Sequence, residues 1–432
     1  MLPLIIGACS LPAAAELPVI YLKDGSPARF QGAHIPGAPT PNSFGGQTLT
    51  IHQFDDRAVL HWESFNVSEN NEVLFNQPRS SSITLNRVMG NPGIASFIDG
   101  HITANGRVFI INHNGILFGE HAAVNTRSFL ASTLDIDDEV FLDIGFENAI
   151  REENGQLPAF FYNEDFNGDG IPDGPMGEIT IEHGATISSA ENGRVMVFAP
   201  NITNNGHIES PEGQIILAAS DDEIYLTPAG EDDDLRGLLV AVKNESEDSK
   251  TVVTNGELGS LIADRGNISL MGLAVNQNGL ARATSSVSLN GSIMLMAQDV
   301  YREPDDTIIV GNDTDGYTFA LERGGELVLG SNSVTEVLPD DSDDTAPDSQ
   351  VQKPSVIALE GETIVLQSDS RVTATGGDIS IEASTNPRLQ GSFGGLGDPD
   401  ASPAEVIVES GAIIDASGDD TTVVSVARNY VQ

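Results

Sequence analysis

The sequence predicts an all-β chain wound as a β-solenoid, and three observations predict it. First, one phrase recurs from Gly177 onward: a glycine, then apolar residues alternating with polar ones. It stands as Gly177-Glu178-Ile179-Thr180-Ile181, Gly193-Arg194-Val195-Met196-Val197, Gly213-Gln214-Ile215-Ile216-Leu217 and Gly266-Asn267-Ile268-Ser269-Leu270. It returns as Gly291-Ser292-Ile293-Met294-Leu295, Gly325-Glu326-Leu327-Val328-Leu329 and Gly377-Asp378-Ile379-Ser380-Ile381. Period-two strands with glycine at the corners, repeated at roughly twenty residues or more, are the signature of stacked coils. Second, 44 glycines and abundant Asn, Ser and Thr suit short strands joined by tight turns. Third, few segments could sustain three helical turns of apolar periodicity. Spacing alone also admits a β-sandwich or barrel of similar short strands.

The elements follow in chain order. Residues 1–15 read as an export signal with a trimmed start: Leu2 to Ala8 is an apolar core, and Ala13-Ala14-Ala15 supplies small residues before Glu16. A second reading takes Ile6-Gly7-Ala8-Cys9 as a lipoprotein cleavage box that leaves Cys9 lipidated. The run is too short to span a bilayer. Strands are expected at Val73-Leu74-Phe75, Ile83-Thr84-Leu85 and Val108-Phe109-Ile110-Ile111. Turns are expected at Asn91-Pro92, Asp99-Gly100, Asn105-Gly106 and Asn114-Gly115. Residues 16–220 hold the first coils and 221–432 continue them. Acidic or proline-bearing inserts at 147–177, 231–250, 303–316, 339–354 and 386–403 are expected to leave the coils as corner loops, and Asp340-Asp341-Ser342-Asp343-Asp344 to stay unpacked. Trp62 and Phe65 are expected to cap the open end of the stack.

Charge narrows the function classes. Sixty-four acidic residues against twenty basic give a formal net charge of −44. Such a surface repels nucleic acid and anionic membranes and attracts divalent cations. Cys9 is the only cysteine, so no disulfide within the chain and no multi-cysteine zinc site is available. The histidines lack metal-ligand spacing, and His101, His113 and His121 are expected in solvated turns. No nucleophile elbow or phosphate-cradling loop is present. Acidic pairs such as Asp221-Asp222 and Asp305-Asp306 are read as chance neighbours in an acidic chain, so the expectation is not an enzyme.

One ligand motif stands out: Asp165-Phe166-Asn167-Gly168-Asp169-Gly170-Ile171-Pro172-Asp173. Asp165, Asn167 and Asp169 can aim alternate oxygens at one point, Ile171 offers a carbonyl, and Asp173 a further carboxylate or a water contact. The loop is similar to calcium loops, although Met176 stands where a bidentate Glu is usual. Weak calcium binding that orders the insert is the expectation.

The stretch from about Ile83 to Asp135 carries a family resemblance. Asn86-Arg87-Val88 is followed by Gly93-Ile94-Ala95-Ser96-Phe97-Ile98-Asp99-Gly100, by Ile102-Thr103-Ala104-Asn105-Gly106, and by Val108 through Gly119 with the turn Asn112-His113-Asn114-Gly115. It resembles the haemagglutination-activity, or two-partner secretion, domain of filamentous-haemagglutinin-type exoproteins. In that family the turn reads Asn-Pro-Asn-Gly, so His113 is a departure. Phe198-Ala199-Pro200-Asn201-Ile202 is similar to the family's later Asn-Pro-Asn-Leu region, with Ala199 and Ile202 as departures.

The resemblance implies a right-handed parallel β-helix with an N-terminal cap and extra-helical strands. It also implies a secreted, adhesin-like exoprotein that reaches the cell surface through the periplasm. The implied partner is an outer-membrane barrel transporter with periplasmic docking domains, with Asn112, His113, Asn114, Gly115, Pro200 and Asn201 as the candidate secretion motif. A host-cell or surface ligand is a further expected partner. Asn112 is also expected to bond its own turn, and Gly115 to take positive φ. The rival readings are a β-helical polysaccharide-active enzyme and the stem of a cytolysin or contact-dependent toxin.

Overall fold

The computed structural model describes residues 16–21, 30–90, 93–143, 158–168, 170–229, 236–286, 288–302, 320–340, 354–385 and 403–418. The expected leader with Cys9, the ligand Asp169, the pair Asp305-Asp306 and the run 341–344 lie outside these residues.

The chain is a parallel β-helix of three long faces. Each coil passes from the first face across a corner to the third, then to the second, and back. Strands of the first face include Ile83–Val88, Arg107–Ile111, Ser128–Ser132, Arg194–Ala199, Gln214–Ala219, Asn267–Gly272, Ser292–Arg302, Val356–Gly361 and Asp378–Ala383, each parallel to the next. The second face runs from Gln47–Gln53 to Ile413–Asp415 and the third from Ser96–Ile98 to Glu405–Val408. Hydrogen bonds therefore run between coils rather than within them, and the sandwich alternative is set aside.

Register explains the repeat. On the first face Val108, Phe129, Val195, Ile215, Ile268, Ile293, Ile357 and Ile379 pair in succession and all point inward. Burying one such side chain contributes about 1.5–3 kcal/mol, and a slip of one residue would turn the whole row outward. Corner glycines answer to close approach between coils: a Cβ on Gly213 would lie 2.0 Å from the Gly193 carbonyl oxygen. Inside another corner a side-chain ladder links coils, with Asn204 donating to Asn255 at 2.8 Å and Asn255 to Gln277 at 2.7 Å.

The first coil is closed by antiparallel strands. Val19–Ile20 and Phe30–Gln31 pair with Arg57–Ser64, and Ala33–His34 and Thr40–Pro41 pair with Gln47–Gln53. Beneath them Trp62 and Phe65 are fully buried, Phe30 packs 5.2 Å from Trp62, and the Trp62 indole N–H donates to Asn86. They cap the stack, as expected.

The outer side of the first face carries a second core. Inserts leave at the ends of its strands, after Ser132, Ala219 and within the long strand Ser292–Arg302, and fold back over it. The first contributes a short helix, Asp138–Asp143, and the strand Phe160–Phe161; the second is a hairpin of Glu223–Pro228 and Leu238–Asn244. Phe160–Phe161, the hairpin, the end of Ser292–Arg302 and Ala320–Gly324 form one extra-helical sheet. Under this layer Leu85, Phe109, Leu130, Met196, Phe198 and Ile216 point away from the helix yet remain buried. The helix is not visible as periodicity, because six residues carry too few turns. No helix among the described residues is long and apolar enough to cross a membrane.

Candidate functional site

The motif Asn112-His113-Asn114-Gly115 forms the corner between Arg107–Ile111 on the first face and Ile116–Phe118 on the third. Asn112 is buried and closes its own turn: its side-chain oxygen accepts from the Asn114 amide at 3.0 Å, and its Nδ2 donates to Ser96 Oγ at 3.0 Å. Gly115 has φ +107°, and a Cβ there would meet the Glu178 carbonyl oxygen at 2.7 Å. Asn114 accepts from the Gly93 amide at 2.6 Å. The turn chemistry expected of Asn112 and Gly115 is therefore present.

His113 departs from expectation. It is not solvated but 1% exposed, with Nε2 2.8 Å from the Gly174 carbonyl oxygen and its ring between Tyr162 and Phe166. The reason is the first insert, which returns to the helix at this corner, where the Gly177 amide donates to the His113 carbonyl at 2.8 Å. Pro200 and Asn201 occupy the same kind of corner two coils further on. Pro200 is half-buried and its carbonyl accepts from Val252 at 3.0 Å, while Asn201 is exposed.

Beside the corner the insert is locked by a buried charge cluster that the sequence did not reveal. Arg87, 5% exposed, pairs with Asp135, 3% exposed, and reaches Asp138 at 2.7 Å and the Ile136 carbonyl at 2.6 Å. Its guanidinium also sits 5.1 Å from the Phe166 ring centroid. Burial opposes the charge on Arg87, but Asp135 and Asp138 outweigh it and hold its pKa above the ordinary arginine value. Burial pushes the Asp135 carboxyl up, against the pull of Arg87. Asp138 is held below the ordinary carboxylate range because His61 and Arg87 overcome its desolvation. A cavity of about 360 Å³ opens over this cluster, lined among others by Tyr21, His61, Arg87, Asn163 and Asp165.

A family model described as the TPS secretion domain matches residues 36–313. The chain belongs to the two-partner secretion domain family. This secretion domain is 38% identical over 101 residues to the heme/hemopexin-binding protein of Haemophilus influenzae, a match covering 23% of this chain and 11% of that protein. The same protein from strain ATCC 51907 is 36% identical over 107 residues, 25% of this chain and 12% of the relative. The chain thus spans about a tenth of the curated relatives it matches. Among solved structures, the HMW1 secretion domain of Haemophilus influenzae superposes with a TM-score of 0.57 at 20% identity, covering 90% of this chain and 84% of that one. The last likeness is one of fold.

In the secretion domain the expected calcium loop is partly described. Asp165 Oδ2 accepts from the Gly170 amide at 3.0 Å, and Asp173 accepts from the Asn167 side chain at 2.7 Å and its amide at 3.1 Å. Ile171 is exposed. Among the described residues no three His, Cys, Asp or Glu side chains converge to hold a metal ion. The donors present are oxygens, which suit a hard cation, and the loop closes on its own amides. Of the acidic pairs, Asp222 is engaged by Lys243 at 2.7 Å and Asp221 accepts from the Glu245 amide at 2.8 Å.

Proposed function

We propose that this chain is the secretion-directing start of a larger, non-enzymatic, adhesin-like exoprotein, delivered to the surface of a Gram-negative-type cell through the periplasm. Its partner in this reading is an outer-membrane barrel transporter with periplasmic docking domains. The observation that carries the reading is the family match across the capped first coils and both corner motifs. Burial of Asn112 and His113 favours a structural role for these two, whereas Asn201 is exposed and Asn114 and Pro200 are half-buried. The name of the Haemophilus relatives is not carried over as haem binding, because the shared segment is about a tenth of those proteins. Arg87 and Asp135 neutralise each other in the interior, which argues against a catalytic pair there.

Co-expression with a cognate barrel transporter tests the reading. Deleting residues 108–118 is expected to abolish release to the medium while export to the periplasm persists. Normal release of the deleted chain would overturn the role. A second expectation concerns calcium at Asp165, Asn167, Asp169, the Ile171 carbonyl and Asp173. Added calcium is expected to raise the melting temperature of the parent chain but not of the Asp165→Ala/Asp169→Ala variant. An equal response in both removes the site.

A further inference from the structure

The cap strand Ala33–His34 runs antiparallel to Gln47–Gln53 and sets His34 directly opposite His52. Directly opposed residues on neighbouring strands share a face, with Cβ atoms about 4.5–5.5 Å apart. The two imidazole rings lie with centroids 5.7 Å apart, tilted by 49°. His34 is exposed and His52 half-buried. Among the described residues neither ring has a hydrogen-bond or ion-pair partner, and their ring contacts are with each other and, for His34, with Phe54 at 6.2 Å. Other histidines are engaged: His61 faces Asp138, His113 bonds to Gly174, His121 faces Asp99, and His101 stacks on Phe44 at 3.7 Å.

We propose that His34 and His52 form a two-imidazole site for a divalent transition-metal ion, a clasp between the cap and the first coil. Two neutral imidazoles on one face can converge their ring nitrogens on a single ion by side-chain rotation, with the backbone pair already fixed. Imidazole nitrogen selects copper, nickel or zinc over calcium and magnesium, and copper(II) binds such a site best. Two protein ligands leave the remaining positions to water, so the site is open rather than closed. The net charge of −44 raises the cation concentration at the surface. Phe54, 62% exposed, forms a side wall next to His34.

The consequence follows from linkage. The ligands come together only when the cap strand is paired, so the ion stabilises the capped state over an opened one. The cap strand is only two residues long and has few backbone bonds of its own, so a cross-strand tie adds to its hold on the coil. Protons compete for the same nitrogen lone pairs, and acid is expected to release the ion.

Copper(II) chloride titrated into the purified full chain tests this by electron paramagnetic resonance and thermal melting. The parent chain is expected to show one bound ion with two nitrogen donors and a raised melting temperature. His34→Gln and His52→Gln are each expected to lose the two-nitrogen signature and the thermal shift, whereas His207→Gln keeps both. Persistence of the two-nitrogen signal in either cap variant overturns the proposal. A measurement on the parent chain needs no variant: copper(II) is expected to protect His34 and His52 together from diethyl pyrocarbonate, and full reactivity of both in its presence overturns the site.

Discussion

The outer side of the first face changes from apolar to polar along its length, whereas the inner side stays apolar from Val108 to Ile379. In the early coils the outward column reads Val59, Leu85, Phe109, Leu130, Met196 and Ile216, all buried beneath the extra-helical layer. In the later coils the same column continues as Ser269, Met294, Ala358 and Ser380. The last strand, Asp378–Ala383, alternates between exposed and half-buried positions, while Gln214–Ala219 is buried throughout. A strand covered on both sides reads as a continuous apolar run, and one covered on a single side alternates. The inserts, rather than the helix, thus create the distinctive region, and all of it but the strand Ala320–Gly324 lies within residues 36–313, which the secretion-domain family model spans.

The sharpest way to break this comparison is to truncate one outward-facing residue in the covered part of the face and one in the open part. Phe198 is fully buried with its ring 5.0 Å from that of Phe160 in the overlying layer. Phe198→Ala is expected to cost about 3–5 kcal/mol. Ser380→Ala, on the open part of the face, is expected to stay within about 0.5 kcal/mol. Urea unfolding of both variants measures the contrast, and equal losses would mean that the outer layer adds nothing.

A slightly smaller effect is expected where the layer is pinned. Asp135→Ala leaves Arg87 buried with only Asp138 and the Ile136 carbonyl, and removal of one partner from a buried pair costs about 3 kcal/mol. Amide hydrogen exchange should rise first in the strand Phe160–Phe161 and the turn at His113, with the later coils unchanged. Loss of protection along the whole rod would show that the layer and helix are one cooperative unit.

The smallest effect belongs to the open region. Glu360 stacks directly on Glu382 in the parallel ladder, and burial, then the like charge of Glu382, raises its pKa. A carboxyl whose folded-state value is raised binds its proton more tightly when folded, so stability falls as pH rises through that value. Glu360→Gln is therefore expected to gain about 0.5 kcal/mol at neutral pH. The gain should vanish once the pH is below about 4.3, where glutamate is protonated in both states. Unfolding midpoints at pH 7 and in acid check the sign.

The turn residues show how far local chemistry reaches. Asn112 and Gly115 were legible because an Asx turn and a positive φ involve neighbours only. His113 was not, since its partner, Gly174, is 61 residues away at the far end of an insert. The pairing of Arg87 with Asp135 spans 48 residues and was hidden for the same reason. Nor could the short helix Asp138–Asp143 be read, because six residues carry too few turns for a period to appear.

By itself the sequence determined short period-two aliphatic strands with glycines at their ends, a pattern that suits stacked coils and, by spacing alone, also a sandwich. The alternation within each strand is a relation among chain neighbours, and it repeats from one coil to the next. Only the tertiary structure decided which outer surface is covered, where the inserts return, and which polar residues are thereby removed from solvent. Those outcomes depend on contacts across tens of residues, which no local pattern encodes.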